Sequence, residues 1–315
     1  MAKINATSHP DEFIYALAAY GNDVLAASTS GLYRSADAGE TWQLATASLG
    51  LNEEVPSTAV VFSPDYPEDH TIVAGMAGGI LRSGDGAATW VLGVTPPPPP
   101  TITALVISPA FREDGILLAG TMDDGVLRSA DRGYRWASWN FGLLDLSIFS
   151  LAISPDFASD ETVFAGTESG IFRSTNGGRA WREVDLPTGY ETVLSLGISP
   201  HFGKDGTLFA GTETQGLLRS TDGGVTWQKV GGDALEGPVN SVVVSPAFSQ
   251  QKDVAVLCNG EIYLSRNGGD TWQPLWPELL AEGEVTALLA PQGFTGNATV
   301  WVGIVGGEVK RFTLS

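Results

Sequence analysis

Six times in this chain a serine, an aspartate or asparagine and a tryptophan recur at one spacing: Ser35-Ala-Asp37-Ala-Gly39-Glu-Thr-Trp42, then Ser83 to Trp90, Ser129 to Trp136, Ser174 to Trp181, Ser220 to Trp227 and Ser265 to Trp272. A serine hydroxyl beside a carboxylate is material for nucleophilic or acid–base chemistry, but such chemistry needs one nucleophile and one base in one cleft. Successive tryptophans here lie 48, 46, 45, 46 and 45 residues apart, so the copies belong to repeated units and do not converge on one site. The phrase therefore reads as structural. Its serine and the side chains of Asp37, Asp85, Asp131, Asn176, Asp222 and Asn267 can accept the N–H groups of their own turn, while glycine supplies positive φ. Trp42, Trp90, Trp136, Trp181, Trp227 and Trp272 pack on the blade. The second copy has Ala87 in place of glycine, which predicts a distorted turn there. The arginines before each serine (Arg34, Arg82, Arg128, Arg173 and Arg219, with Leu264 in the sixth unit) keep step with the repeat. Spread round a ring, they form no clustered anion trap.

A period of about 45 residues, rich in glycine turns and free of a helical apolar stripe, matches four short strands per propeller blade. The fifth unit supplies them in order: Val193 to Ile198, Leu208 to Gly211, Gly216 to Ser220 and Thr226 to Val230, named A to D from the inside outwards. A Ser-Pro phrase joins A to B at Ser63, Ser108, Ser154, Ser199 and Ser245, the proline falling where a ladder donor is no longer needed. After the sixth unit come Val285 to Leu289, Val300 to Ile304 and Val309 to Leu314, a blade lacking its D strand. The segment 3–8 can fill that slot and remove the free edge. The chain thus reads as all-β, one domain over 1–315: a seven-bladed β-propeller of four antiparallel strands per blade, the last completed by the N-terminal strand.

In that architecture A–B and C–D connections share one face, and B–C turns and D–A links share the other. The first face carries the repeated phrases, so residues peculiar to the second are the better functional candidates. By these boundaries half of the 36 acidic residues lie on the second face and none of the 17 lysines and arginines does. Glu53, Glu54, Asp123, Asp124, Glu168 and Glu213 are its candidate acids, and Trp139, Phe141, Tyr190 and Trp276 its aromatics outside the repeat. Acids interleaved with aromatics suit a protein or peptide with a basic surface, bound in a salt-sensitive way. The plainer reading is a solubility face whose aromatics staple long links to the blades.

Composition narrows the rest. A net charge of −19 opposes nucleic-acid binding, which needs clustered cations. No apolar run reaches eighteen residues, so membrane insertion is not expected. His9, His70 and His201 are scattered and no calcium-loop spacing occurs, so no metal and no cofactor is expected. Cys258, the one cysteine, sits in an apolar run and reads as a buried thiol. Pro96 to Pro100 reads as a stiff extended spacer. Asn5-Ala-Thr7 and Asn297-Ala-Thr299 match the glycosylation sequon. With no apolar leader at its start, the chain is expected in the cytoplasm.

The Ser-x-Asp-x-Gly-x-x-Trp phrase resembles the Asp-box, or BNR, repeat of sialidases, xyloglucan-cleaving glycosidases, sortilin-type receptors and the photosystem II assembly factor. The resemblance covers nearly the whole chain and implies the propeller, while activity must be argued from a site. The sialidase Phe/Tyr-Arg-Ile-Pro segment is absent, so no sialidase residue is carried over, and no catalytic residue is assigned. The xyloglucan-cleaving family implies two facing propellers, against one here. The leading expectation is a non-catalytic scaffold that binds protein or peptide through its acidic, aromatic-bearing face. The alternative is a glycan-binding or glycoside-cleaving propeller, which would need two carboxyl groups about 5 to 10 Å apart in a hollow.

Overall fold

The computed structural model describes residues 2–4, 11–281 and 283–314, which form seven four-stranded antiparallel sheets arranged as blades. Strands A to D of blade one are Ile14–Tyr20, Asp23–Ser28, Gly31–Ser35 and Gln43–Leu44. Blade two follows with Ser57–Phe62, Ile72–Met76, Gly79–Ser83 and Val91–Leu92, and blade three with Ile102–Ile107, Leu117–Thr121, Val126–Ser129 and Ala137–Ser138. Blade four comprises Ile148–Ile153, Val163–Thr167, Ile171–Ser174 and Arg182–Val184. Blade five comprises Val193–Ile198, Leu208–Thr212, Leu217–Ser220 and Gln228–Val230. Blade six has Val239–Val244, Val254–Cys258, Glu261–Ser265 and Gln273–Leu275. Blade seven takes Val285–Leu289, Thr299–Ile304 and Glu308–Thr313 from the C-terminal end, and its outer strand is Ala2–Lys3. That strand pairs Ala2 with Val309 and Lys3 with Glu308, and the Ile4 N–H continues to the Gly307 carbonyl at 3.0 Å. The N-terminal strand therefore closes the ring as expected. It begins earlier than expected, and residues 5–8 of the expected strand lie outside the described residues.

The B strands are buried on both faces and read as unbroken apolar runs, such as Val254 to Leu257. Each core cluster spans two blades. Trp90 packs with Leu25 and Leu32 of blade one, Trp136 with Val73 and Ile80 of blade two, and Trp181 with Leu118 and Val126 of blade three. The repeated tryptophan thus binds each blade to the one before it. Its indole N–H takes part as well: Trp90 donates to the Ala45 carbonyl at 2.9 Å and Trp181 to that of Trp139 at 2.8 Å.

Every Asp-box shares three bonds, shown by the fifth: Ser220 Oγ donates to Asp222 and accepts the Gly224 N–H at 3.0 Å, and Asp222 accepts the Thr226 N–H at 2.9 Å. In boxes one, two and five a threonine hydroxyl adds a fourth, that of Thr226 reaching Asp222 at 2.6 Å. The expected distortion of the second copy does not occur. Ala87 adopts φ +70 and its N–H reaches Ser83 Oγ at 2.9 Å, so the alanine carries the left-handed strain and the turn keeps its shape. The proline stretch also differs from expectation, since the chain bends at residues 97–98 and is no straight rod.

The repeat-locked arginine has a structural role in several seams. Arg82 Nε donates to the Arg132 carbonyl of the following blade at 2.9 Å, and Arg219 Nη1 to that of Gly268 at 2.7 Å. Arg311 reaches the Ala38 carbonyl at 3.3 Å across the closing seam. All three acceptors are the fourth residue of an Asp-box. Where blade six has Leu264, Arg266 takes over, bonding Asp253 at 2.7 Å and the Phe294 carbonyl at 2.9 Å. After blades three and four the arginine lies over a ring instead: Arg128 is 4.3 Å from Trp139 and Arg173 is 5.8 Å from Phe164.

Strand A has one irregularity in every blade. Register slips between its first and third residues, leaving Tyr15, Thr58, Thr103, Phe149, Leu194, Asn240 and Thr286 as bulges. Hydroxyls at or beside the bulge bridge to the next blade, Thr103 to the Ile148 carbonyl and Ser195 to that of Val239.

Candidate functional site

The acidic face takes its shape from short B–C turns held against D–A links. A carboxylate just before strand A accepts the N–H of its own blade's B–C turn in three blades: Glu12 from Ser30 at 3.0 Å, Asp145 from Ser169 at 2.7 Å and Glu191 from Thr214 at 2.7 Å. These acids are structural. Burial alone raises the Asp145 carboxyl, but donation from Ser147 and Ser169 outweighs it and holds the group below its ordinary value. By residue type they are indistinguishable from the free acids, and position does not separate them either, since the exposed Glu54 and Glu236 also stand three residues ahead of a strand A.

The same turns bring one group of candidates together. The Gly125 N–H meets the Leu146 carbonyl at 3.0 Å, Asp145 holds Ser169, the Glu191 N–H meets the Ser169 carbonyl at 3.4 Å, and the Glu213 N–H meets that of Thr192 at 3.0 Å. This chain of bonds joins the turns bearing Asp123, Asp124, Glu168 and Glu213 with the link bearing Tyr190, a continuous arc over blades three to five. All four acids are exposed, and Tyr190 is 81% exposed. Met122, Leu144 and Leu146 lie in the same turns and links and are also exposed. They were missed in the sequence because aliphatic residues in a loop look like ordinary surface.

The other candidates lie elsewhere. Glu53 and Glu54 are exposed and line a hollow of about 570 Å³ beside blade one, with Tyr33, Trp42, Leu44 and Leu51. Trp139 is enclosed by Arg128 and Arg179, 4.3 and 5.6 Å from its ring, in the seam between blades three and four. Phe141 is exposed but lines a hollow of about 630 Å³ with Arg173, Trp181 and Val225 on the flank of blade four. Trp276 stacks on Phe312 at 4.4 Å and 22°, joining blades six and seven. For Trp139 and Trp276 the stapling role accounts for their contacts. Phe13 and Tyr15, a pair with centroids 5.1 Å apart and both partly exposed, were not among the candidates.

Among the described residues no three His, Cys, Asp or Glu side chains are gathered as a metal site, and no helix is long and apolar enough to cross a membrane. His70 and His201 fall on the Asp-box face, and His9 and Asn5 lie outside the described residues.

Comparison with known proteins agrees with this architecture. The family model for the photosynthesis system II assembly factor YCF48 matches residues 134–287, just under half of the chain. No curated protein matches the chain in sequence. Among solved structures, YCF48 bound to D1 peptide is similar over 100% of this chain and 96% of its own, with 17% identity and a TM-score of 0.70. The GH74 xyloglucanase from Xanthomonas campestris is similar over 98% of this chain, with 18% identity and a TM-score of 0.74. The extracellular domain of a one-component system from B. thetaiotaomicron is similar over 98%, with 15% identity and a TM-score of 0.72. The chain spans only 53% and 39% of the lengths of these last two. Identities this low carry the fold and not the activity. Repeat, blade count and matches together place the chain in the superfamily of Asp-box (BNR) β-propellers, with no single family within it matched.

Proposed function

We propose that this propeller is a non-catalytic scaffold that binds a protein or peptide with a basic surface on the arc of B–C turns and D–A links over blades three to five. The observation that carries the reading is the company of Tyr190: an exposed aromatic in a link flanked by the Glu168 and Glu213 turns, with Asp123, Asp124, Met122 and Leu144 continuing the same surface. Exposed apolar side chains supply anchors, and uncompensated carboxylates supply steering and register. The similarity to YCF48 bound to D1 peptide supports a peptide-binding use of the fold.

The test uses fluorescent peptides that alternate Lys or Arg with Leu or Phe, and acidic peptides of the same length. Cationic peptides should bind, lose affinity at least tenfold between 50 and 300 mM salt, and bind the Asp123→Asn, Asp124→Asn, Glu168→Gln, Glu213→Gln variant at least tenfold more weakly, order-of-magnitude expectations for several charge contacts. Equal binding of acidic peptides, or an unchanged affinity in the variant, removes the proposal.

A further inference from the structure

Blade one departs from the repeat on the Asp-box face. Blades two to six join strands A and B through a Ser-Pro loop with one helical turn, whose Tyr66, Phe111, Phe157, Phe202 or Phe248 is buried beneath it. Blade seven keeps a loop with buried Phe294. Blade one makes the same connection through the two residues Gly21 and Asn22, between the paired positions Tyr20 and Asp23. The flank of blade two's loop is left uncovered, and a hollow of about 480 Å³ opens in the seam, within the range of small-molecule sites.

The arginine of this seam behaves differently too. Where Arg82 and Arg219 reach the fourth residue of the next Asp-box, Arg34 turns to Asp23, its Nε 2.7 Å from Oδ1. Among the described residues no hydrogen bond joins it to the Gly86 carbonyl. Tyr66, a tyrosine where the other helical loops have phenylalanine, gives its hydroxyl to Asp23 Oδ2 at 3.1 Å. The floor of the hollow is thus a polar trio found, among the described residues, in no other seam. Its walls are Asn22, His70 and Asp85, and Tyr20, 42% exposed with its ring 5.5 Å from that of Tyr66, lies along one side.

From these residues we infer that the seam between blades one and two is a binding site for a neutral, hydroxyl-rich ring, a saccharide unit. Arg34 and Asp23 neutralise each other, while Asp85, bonded to the neutral Ser83 and Thr89, keeps its charge. Charge therefore opposes an anion, and the hydrogen-bonding groups favour a neutral polar ring. A ring of hydroxyls both donates and accepts, which suits a floor of guanidinium, carboxylate and phenol beside the Asn22 amide of the wall. The apolar face of such a ring needs a flat partner, and Tyr20 supplies one. The inference is independent of the peptide-binding arc, which lies on the opposite face.

The experiment is saturation-transfer NMR and calorimetry on the full chain, with methyl pyranosides and with cello-, xylo- and manno-oligosaccharides as probes. At least one saccharide should bind saturably. Tyr20→Ala and Asn22→Ala should each weaken it by about tenfold, Tyr20→Phe should retain it, and Ala36→Arg, at the exposed rim, should block it. The quadruple amide variant of the arc should bind it as the parent does. Thermal melts showing every variant folded make the comparison valid, since Tyr20, Asn22 and Ala36 are all exposed. No binding by any probe at millimolar concentration overturns the inference, and so does binding indifferent to Tyr20→Ala and Ala36→Arg, or preference for acetate, phosphate or methylammonium in this seam.

Discussion

Arg219, at the end of strand C in blade five, donates from Nη1 to the carbonyl of Gly268 in the Asp-box of blade six at 2.7 Å, and the same nitrogen lies 2.7 Å from Asp270 Oδ1. The two contacts differ in worth. The arginine side chain is only 17% exposed, while that of Asp270 is 61% exposed, so solvent screens the ion pair and the carbonyl bond carries most of the effect. Arg219→Leu, which installs the residue type found at Leu264, should cost about 1 to 2 kcal/mol and lower Tm by a few degrees. Asp270→Ala should change Tm by less than a degree or so, about the yield of an exposed pair. Equal losses from the two substitutions in thermal melts would show that the ion pair, and not the staple, holds the seam.

The two glycine positions at the end of the Asp-box turn predict opposite sensitivities. A Cβ at Gly224, where φ is +80, would stand 2.5 Å from Phe164 Cε1 in the preceding blade. Gly224→Ala combines left-handed strain with overpacking and should cost about 2 to 4 kcal/mol in urea denaturation. Ala87 occupies the matching place in blade two, where its neighbour in the preceding blade is the smaller Leu25. Ala87→Gly relieves strain but loses a buried methyl group and loosens the unfolded chain, so its stability should stay within about 1 kcal/mol of the parent. A Gly224→Ala protein as stable as the parent would refute the steric account.

These contrasts explain why the fold was legible in the sequence and the seams were not. Blade number followed from a strict period, because strand length, turn chemistry and tryptophan spacing all repeat. Arg82, Arg128 and Arg219 look identical in sequence, yet one bonds a carbonyl, one covers Trp139 and one does both a carbonyl and a carboxylate. What decides is the neighbouring blade, about 45 residues away. On the acidic face, Glu12 and Glu53 are alike by type, but only the first is locked by Ser30. Burial and hydrogen bonding across B–C turns separated structural acids from free ones, and an alternation pattern does not encode that. Trp276 looked like an anchor because it lies outside the repeat, and the stacking on Phe312 that explains it comes from a residue 36 positions later.

Cys258 ends strand B of blade six and is 1% exposed, and burial followed by the nearby Glu261 charge pushes its thiol up to about 11. Only the thiolate reacts readily. The folded protein at pH 8 should therefore resist iodoacetamide for hours and be alkylated within minutes in 6 M guanidinium, followed by intact mass. Rapid labelling without denaturant would place the thiol at the surface and contradict the blade-six register.

Acid should loosen the Asp-boxes in a defined window. Hydrogen bonds from the hydroxyl and N–H of Thr41, Thr89 and Thr226, with help from the serine, hold the carboxyls of Asp37, Asp85 and Asp222 down at about 2. In the unfolded chain these groups titrate near the ordinary value of about 3.9. A depressed native pKa contributes stability that is complete above the unfolded value and is lost as pH falls from about 4 towards 2. Boxes four and six show the neutral alternative: Asn267 Oδ1 accepts the Thr271 N–H at 3.0 Å while its Nδ2 donates to the Thr271 hydroxyl at 2.9 Å. The Asp37→Asn, Asp85→Asn, Asp222→Asn protein should therefore fold. Its urea midpoint should lie somewhat below the parent's at pH 7 and fall less steeply between pH 4.5 and 2.5, because three titrating groups have been removed. Parallel declines in the two proteins would mean that other carboxylates held below their ordinary value, such as Asp145, govern acid unfolding.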